Sequence, residues 1–323
     1  MREAKYFKRL PNDAVRCELC PHYCVLDRDK TGKCRARKNM YGILYSMNYA
    51  QTVTVSVDPI EKKPLYHFHP GENILSIGSN SCNLTCDFCQ NYSISQYHVP
   101  TTELTHVQLA DLAQKYRLKF VAYTYTEPIT WYEFVLESAQ LLHKNKIKTV
   151  LVTNGYINPA PLLELLPYID AMNIDLKSMS DLFYREICGG SLQPVLDSIK
   201  TVAGKCHLEI TNLIIPGKND SARDIDKLVN FIASIDPDIP LHFSRYFPHY
   251  KLKIPATSEE TLNEARDIAL KKLNYVYLGN ILTDNSTYCP KCGSVLVERD
   301  PQTRINIRKN LCPECNLPIY GSF

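Results

Sequence analysis

The stretch Ser79 to Gln90, SNSCNLTCDFCQ, places Cys82, Cys86 and Cys89 in a C-x3-C-x2-C spacing. Three thiolates on one tight loop can hold three corners of a cubane iron–sulfur cluster and leave the fourth iron without a protein ligand. Ferredoxins that only move electrons use four cysteines in other spacings, and a structural zinc site closes all four positions. The loop therefore points to a 4Fe-4S cluster with one iron open to a small molecule; the competing reading is a zinc loop completed by a distant ligand. Eight more cysteines form two groups. Cys17, Cys20, Cys24 and Cys34 fall within eighteen residues, with Pro21 and Gly32 supplying turns, and suit either zinc or a second iron–sulfur cluster. Cys289-Pro-Lys-Cys292 and Cys312-Pro-Glu-Cys315 are two C-x2-C pairs nineteen residues apart, the pattern of a zinc-ribbon-like module folded by its metal.

These loops need a scaffold. The run Asn73 to Gly78 is apolar, rich in branched residues and closed by glycine, as in a buried strand. From there strand-like runs at 73–78, 119–125, 148–153, 170–175, 207–215, 240–245 and 275–279 alternate with helical patterns. The helices are expected at 106–117, 131–145, 160–166, 193–203, 221–234 and 257–273. Leu109, Leu112, Ala113 and Tyr116 recur at helical spacing. Such alternation predicts an α/β fold, a parallel (β/α) barrel, partial or full, with its chemistry at the carboxyl ends of the strands. Tyr123-Thr-Tyr-Thr-Glu127 ends the second strand, Asn154 the third, and Asn173, Asp175 and Lys177 alternate on the fourth. Charges on an inner strand face are costly unless paired or functional. Residues 1–71 read as a cysteine-rich module, 72–283 as the barrel and 284–323 as the ribbon. Two short strands, a possible hairpin, are expected between Tyr41 and Val57. A proline-rich loop, Asp58 to Gly71, should then bring Lys62 and Lys63 to the rim of the site.

Thirteen cysteines in close groups fit metal binding in a reducing compartment rather than disulfides. No apolar run is long enough to span a membrane, so a cytoplasmic location is expected. A reducible cluster also favours an oxygen-poor host. The net charge of +3 hides an uneven distribution. Residues 1–41 hold eleven Lys or Arg against five Asp or Glu, a local +6. That charge could meet nucleic acid, although offsetting the thiolates of a metal site is the simpler use.

With Phe88 just before its last cysteine, the cluster loop resembles the motif of radical S-adenosylmethionine enzymes. The resemblance implies that the cofactor chelates the open iron, is reductively cleaved, and yields a 5′-deoxyadenosyl radical that takes hydrogen from a substrate. Further along, Thr-Asn154-Gly, Asp175-Leu-Lys177, Ile-Pro-Gly217 and the His242 strand resemble the pyruvate formate-lyase activating enzymes. The cysteine module, Asp58-Pro-Ile-Glu-Lys-Lys-Pro-Leu65, Cys89-Gln-Asn91 and Tyr125-Thr-Glu-Pro128 resemble the radical enzymes of the AmmeMemoRadiSam system over nearly the whole chain. By this likeness Phe88, Thr126, Glu127, Asn154 and Asp175 surround the cofactor, while Lys177 and His242 line the pocket as catalytic candidates. Where the family usually has Gly-Gly-Glu, this chain has Tyr125-Thr126-Glu127, so only the glutamate matches. The likeness also implies an electron donor such as flavodoxin or ferredoxin and a protein substrate, for example a glycine Cα–H. Modification of a peptide, nucleic acid or small metabolite is the alternative within enzymes. A metal-binding adaptor is the alternative outside them.

Overall fold

The computed structural model describes residues 1–299 and 302–323. Its centre is an open sheet of eight strands that follow one another in chain order. They are β1 (Thr54–Pro59), β2 (Asn73–Gly78), β3 (Phe120–Tyr123), β4 (Lys148–Thr153), β5 (Ala171–Asp175), β6 (His207–Ile214), β7 (Leu241–Arg245) and β8 (Val276–Gly279). β1 runs antiparallel to β2 and all later neighbours are parallel. Among the described residues β1 and β8 do not pair, so the sheet is a partial barrel. Six helices return the chain between parallel strands: α1 (His106–Lys115), α2 (Tyr132–Lys144), α3 (Pro159–Leu165), α4 (Gln193–Val202), α5 (Ala222–Ala233) and α6 (Glu259–Ala269).

The parallel strands are buried on both faces, as crossover helices require. Leu75, Ile77, Val121, Leu151, Ile174, Ile210 and Phe243 all belong to one core, each contributing about 1.5–3 kcal/mol when fully buried. Side chains start three of the helices. Thr105 and Gln108 cap α1 reciprocally, and Ser221 and Ser258 accept from the third residue of α5 and α6, worth about 1 kcal/mol each. Registers such as Tyr123 with Ile77 and Leu151, and Asp175 with Thr211, bring the carboxyl ends out on one side. The top of the barrel is therefore where Gly78, Tyr123, Thr153 and Asp175 end.

The region from Tyr41 to Val57 differs from expectation. Its hairpin pairs Ile43–Ser46 with Arg37–Met40, upstream of the expected stretch. Tyr41 and Gly42 both have positive φ, 54° and 78°, which suits a two-residue hairpin turn. The second strand of the stretch, β1, instead extends the main sheet. The other small sheet of the amino-terminal module joins Phe7–Arg9, Val15–Cys17 and Val25–Leu26. A fully buried ion pair, Arg37 to Glu133, ties the module to α2. At the other end of the chain, Thr287–Tyr288, Val295–Glu298 and Arg304–Ile305 form a three-stranded sheet that packs on Tyr275 and Tyr277 of the barrel. The bottom of the barrel is closed by the loop after β1 and the carboxyl-terminal residues: His69 N–H donates to the Ser322 carbonyl (2.7 Å) and Ser322 N–H to that of His67 (2.8 Å). Among the described residues no helix is long and apolar enough to cross a membrane.

Candidate active site

β2 ends at Gly78, where an added Cβ would lie 2.8 Å from the Thr124 carbonyl oxygen; only glycine permits this approach. The chain then turns into the cysteine loop at the top of the barrel. Cys82, Cys86 and Cys89 line a pocket of about 350 Å³, a size typical of small-molecule sites. The segment before α4 braces the loop, with the Thr85 and Asp87 N–H groups donating to the carbonyls of Cys188 (2.8 Å) and Ile187 (3.0 Å). Cys188, isolated in the sequence, is fully buried beside Cys86. Nothing in its spacing signals that neighbour.

The turn after β3 faces the loop. Tyr125 takes a left-handed φ of 69°, the conformation for which glycine is the usual residue. Side chains hold it there: Asn91 donates to the Tyr125 carbonyl (2.6 Å), the Thr126 hydroxyl to the Ser79 carbonyl (2.7 Å), and the Tyr125 hydroxyl to Asp58 (2.7 Å). The expected Thr126 hydroxyl thus borders the pocket but is engaged with the cluster loop. Glu127 is buried and accepts from Ile129 N–H (3.1 Å), the Thr153 hydroxyl (2.7 Å) and Asn154 N–H (2.8 Å). No cation pairs with it among the described residues. Burial pushes its carboxyl up to about 7, against the pull of those donors.

Asn154 lies under the cysteine loop, its amide donating to Asn83 (2.9 Å) and toward Cys82 Sγ (3.7 Å). Gly155, at a φ of 67°, would bring a Cβ to 3.0 Å from Ile174. At the end of β5, Lys177 Nζ meets Asp175 (3.0 Å) and lies 5.8 Å from the Phe88 ring centroid. Asp175, Lys177 and Phe88 all border the pocket. Of the two rim lysines, Lys63 is buried and neutralised by Asp58 (2.8 Å), whereas Lys62 is 67% exposed.

His242 needs correcting: it does not line this pocket. As the second residue of β7 it lies toward the bottom, where its Nε2 meets Glu209 (2.6 Å). Glu209 also bonds His207 (2.9 Å) and accepts from the N–H groups of Tyr66 (3.0 Å) and His67 (2.7 Å). Thr211 and Ser244, further along β6 and β7, border the pocket instead. Their distance from the strand starts was the available signal.

The two other cysteine groups lie elsewhere. Cys17, Cys20, Cys24 and Cys34 border one cavity with Arg37 and Asn83. The Sγ atoms of Cys289, Cys292, Cys312 and Cys315 all lie within 4.8 Å of one another, with Cys289–Cys315 at 3.5 Å and Cys292–Cys312 at 3.6 Å. This is a metal-ready cluster with the spacing of a tetrathiolate.

Residues 76–232 match the Radical SAM superfamily. An uncharacterised protein of Methanocaldococcus jannaschii is 41% identical over 309 residues, 93% of this chain and 92% of its own. The pyruvate formate-lyase-activating enzyme of Clostridium pasteurianum is 27% identical over 161 residues, 48% of this chain and 67% of its own. In fold, the chain is similar to Streptococcus suis SuiB bound to the precursor peptide SuiA. The TM-score is 0.51 at 18% identity, covering 68% of this chain and 51% of that one.

Proposed function

The chain belongs to the radical S-adenosylmethionine superfamily, and we propose that it is an activating-type member that takes hydrogen from a protein substrate, such as a glycine Cα–H. One observation carries the site assignment. Glu127, a buried carboxylate without a cationic partner, shares a pocket with the three-cysteine loop at the top of the barrel. When bound, the cluster supplies the electron that breaks the cofactor's C–S bond. Cys82, Cys86 and Cys89 hold it. Glu127 Oε2 accepts from Asn154 N–H, and the carboxylate would receive the ammonium of the methionine moiety by a charge-assisted hydrogen bond. Asn154 acts through Cys82 by holding the loop. Asp175 orients the cofactor with Lys177 as its counter-charge, and Phe88 and Leu213 wall the pocket against water.

The activating-enzyme relative supports a protein substrate and a flavodoxin or ferredoxin as reductant. Within the superfamily we place the chain with the AmmeMemoRadiSam radical enzymes; the Asp58–Leu65 segment that carries this likeness brings Lys62 and Lys63 to the pocket. The carboxyl-terminal cysteines we read as a structural zinc site. The test is anaerobic reconstitution with iron and sulfide, reduction, and measurement of 5′-deoxyadenosine from S-adenosylmethionine. Formation that vanishes in Cys86→Ala is expected. An assembled, reducible cluster that cleaves nothing, with or without candidate protein substrates, would overturn the assignment.

A further inference from the structure

We propose that the Tyr125 side chain is a strut between the two ends of the barrel. It ties the turn bearing Glu127 to a buried Asp58–Lys63 pair below, and so positions Glu127 for the cofactor. The link to the cofactor rests on the radical chemistry proposed above; the strut itself does not. β1 runs downward, with Thr54 opposite Gly78 and Asp58 opposite Ile74, so Asp58 stands beside the second residue of β2. Tyr125 comes two residues after the end of β3, at the top. Its hydroxyl still reaches Asp58 Oδ2 (2.7 Å), so the side chain runs down the pocket wall that it helps to form.

The anchor below is charged and fixed. Lys63 Nζ meets the same Asp58 oxygen (2.8 Å) and lies 4.6 Å from the Tyr125 ring centroid. Both partners are buried, Asp58 at 7% and Lys63 at 3% exposure. Burial would raise the Asp58 carboxyl, but hydrogen bonds from Lys63 and Tyr125 hold it well below the usual carboxylate range. The loop that carries the pair is pinned as well. Ile60 and Leu65 are fully buried in one core with Ile74 and Phe120. Lys63 N–H donates to the Ile60 carbonyl (2.8 Å), and the Asn173 amide of β5 donates to the Pro64 carbonyl (2.7 Å). A buried ion pair is by itself weak evidence for stability; its placement on this hydroxyl gives it a use.

The backbone above needs such a hold. Tyr125 has a φ of 69°, a region that disfavours a residue with a Cβ by a factor of about 5–30 and that glycine enters freely. Thr126 and Glu127 follow directly, so relaxation of Tyr125 would carry the carboxylate away from Thr153 and Asn154. Two of the holds on the turn come from the cluster loop or just beyond it: the Ser79 carbonyl that accepts from Thr126, and the Asn91 amide on the Tyr125 carbonyl. Asp58 is the hold that comes from elsewhere in the barrel. The ring also lies flush on the end of β2, where a Cβ on Gly78 would stand 3.2 Å from Tyr125 Cδ2. Cutting the strut lowers the fraction of molecules with the turn in place, and apparent affinity for the cofactor falls with that fraction.

The test compares Tyr125→Phe, which keeps the ring and the Cβ but cuts the strut, with Tyr125→Gly, which needs no strut. Equilibrium dialysis of S-adenosylmethionine against the anaerobically reconstituted, oxidised protein reads binding without turnover. Tyr125→Phe should weaken binding at least about fivefold, with iron and sulfide content unchanged, and Tyr125→Gly should weaken it less. A packing role alone predicts the reverse order, because phenylalanine is the smaller change. Binding by Tyr125→Gly as weak as that by Tyr125→Phe, or weaker, would overturn the proposal. Asp58→Asn alone strands Lys63, so it is combined with Lys63→Met. That pair should match Tyr125→Phe, and affinity equal to that of the unaltered chain would also overturn the proposal. In the reconstituted protein without S-adenosylmethionine, amide hydrogen exchange over residues 124–130 should be at least about fivefold faster in Tyr125→Phe; unchanged exchange would remove the strut itself. An unaltered chain that binds no S-adenosylmethionine would instead sink the radical reading and leave exchange to decide the strut.

Discussion

A buried glutamate stands at each end of the barrel, and the two are held in opposite states. At the bottom, burial alone would raise the Glu209 carboxyl, but hydrogen bonds from His207 and His242 more than reverse this and hold it well below the usual carboxylate range. Every direction around it is filled, by two imidazoles and two backbone N–H groups. At the top, Glu127 has three neutral donors and no cation, and its carboxyl rises to about 7. The bottom is complete in itself. The top is poised for a charge that the protein does not provide.

The contrast makes separable demands. The largest effect should come from Glu209→Ala, which strands two histidines and two N–H groups in the interior. A loss of about 3–5 kcal/mol is expected, read by urea unfolding, with cofactor cleavage per folded molecule retained. Lost cleavage at full stability would erase the distinction between the ends. Glu127→Ala also strands two N–H groups and the Thr153 hydroxyl, so it costs stability too. It should differ in lowering cleavage per folded molecule about 100-fold, or about 2.7 kcal/mol, with its main effect on the KM for S-adenosylmethionine. Lys177→Met leaves Asp175 without its counter-charge and should cost about tenfold in cleavage; an unchanged rate would reduce the pair to a structural one.

Acid should act on the two ends with opposite sign. Burial lowers His67 to about 3, so its share of stability is present above the unfolded value of about 6.5 and drains away as pH falls from there toward 3. Glu209 adds to that loss below about 4.5. Glu127 in cofactor-free protein runs the other way: its raised carboxyl favours the fold below about 4.5, and this is lost as pH rises through about 7. Each group contributes a slope of at most about 1.4 kcal/mol per pH unit. Between pH 7 and 5 these two slopes nearly cancel, so acid should destabilise Glu127→Gln more, and His67→Gln less, than the unaltered chain, as read by urea unfolding at each pH.

The sheet was readable in the sequence because its strands are continuous apolar runs and its helices carry hydroxyl caps. β2 and β4 span the expected residues, and β5 and β7 differ by one residue at the start. The cysteine loop and the residues closing β3 and β5 were readable because strand ends face the same way in a parallel barrel. Depth was read less well. His242 and Asp175 look alike as polar residues on core strands, yet one opens its strand and the other closes its own. Nor could local pattern reveal that Lys63 spends its charge on Asp58, or that Cys188 meets Cys86 across about a hundred residues of chain; such contacts are set by tertiary packing.

The seal beneath the barrel also bears on the order of events during folding. His67 Nδ1 meets the Tyr320 carbonyl across 253 residues of chain, whereas Cys82 meets Asn154 across 72. Closing the longer loop costs more entropy, and such distant pairings tend to form late. The cysteine loop and its supports can thus assemble while the floor is still open. A chain stalled late in synthesis would be expected to expose Glu209 and its histidines to water first, with the radical site already shaped above them.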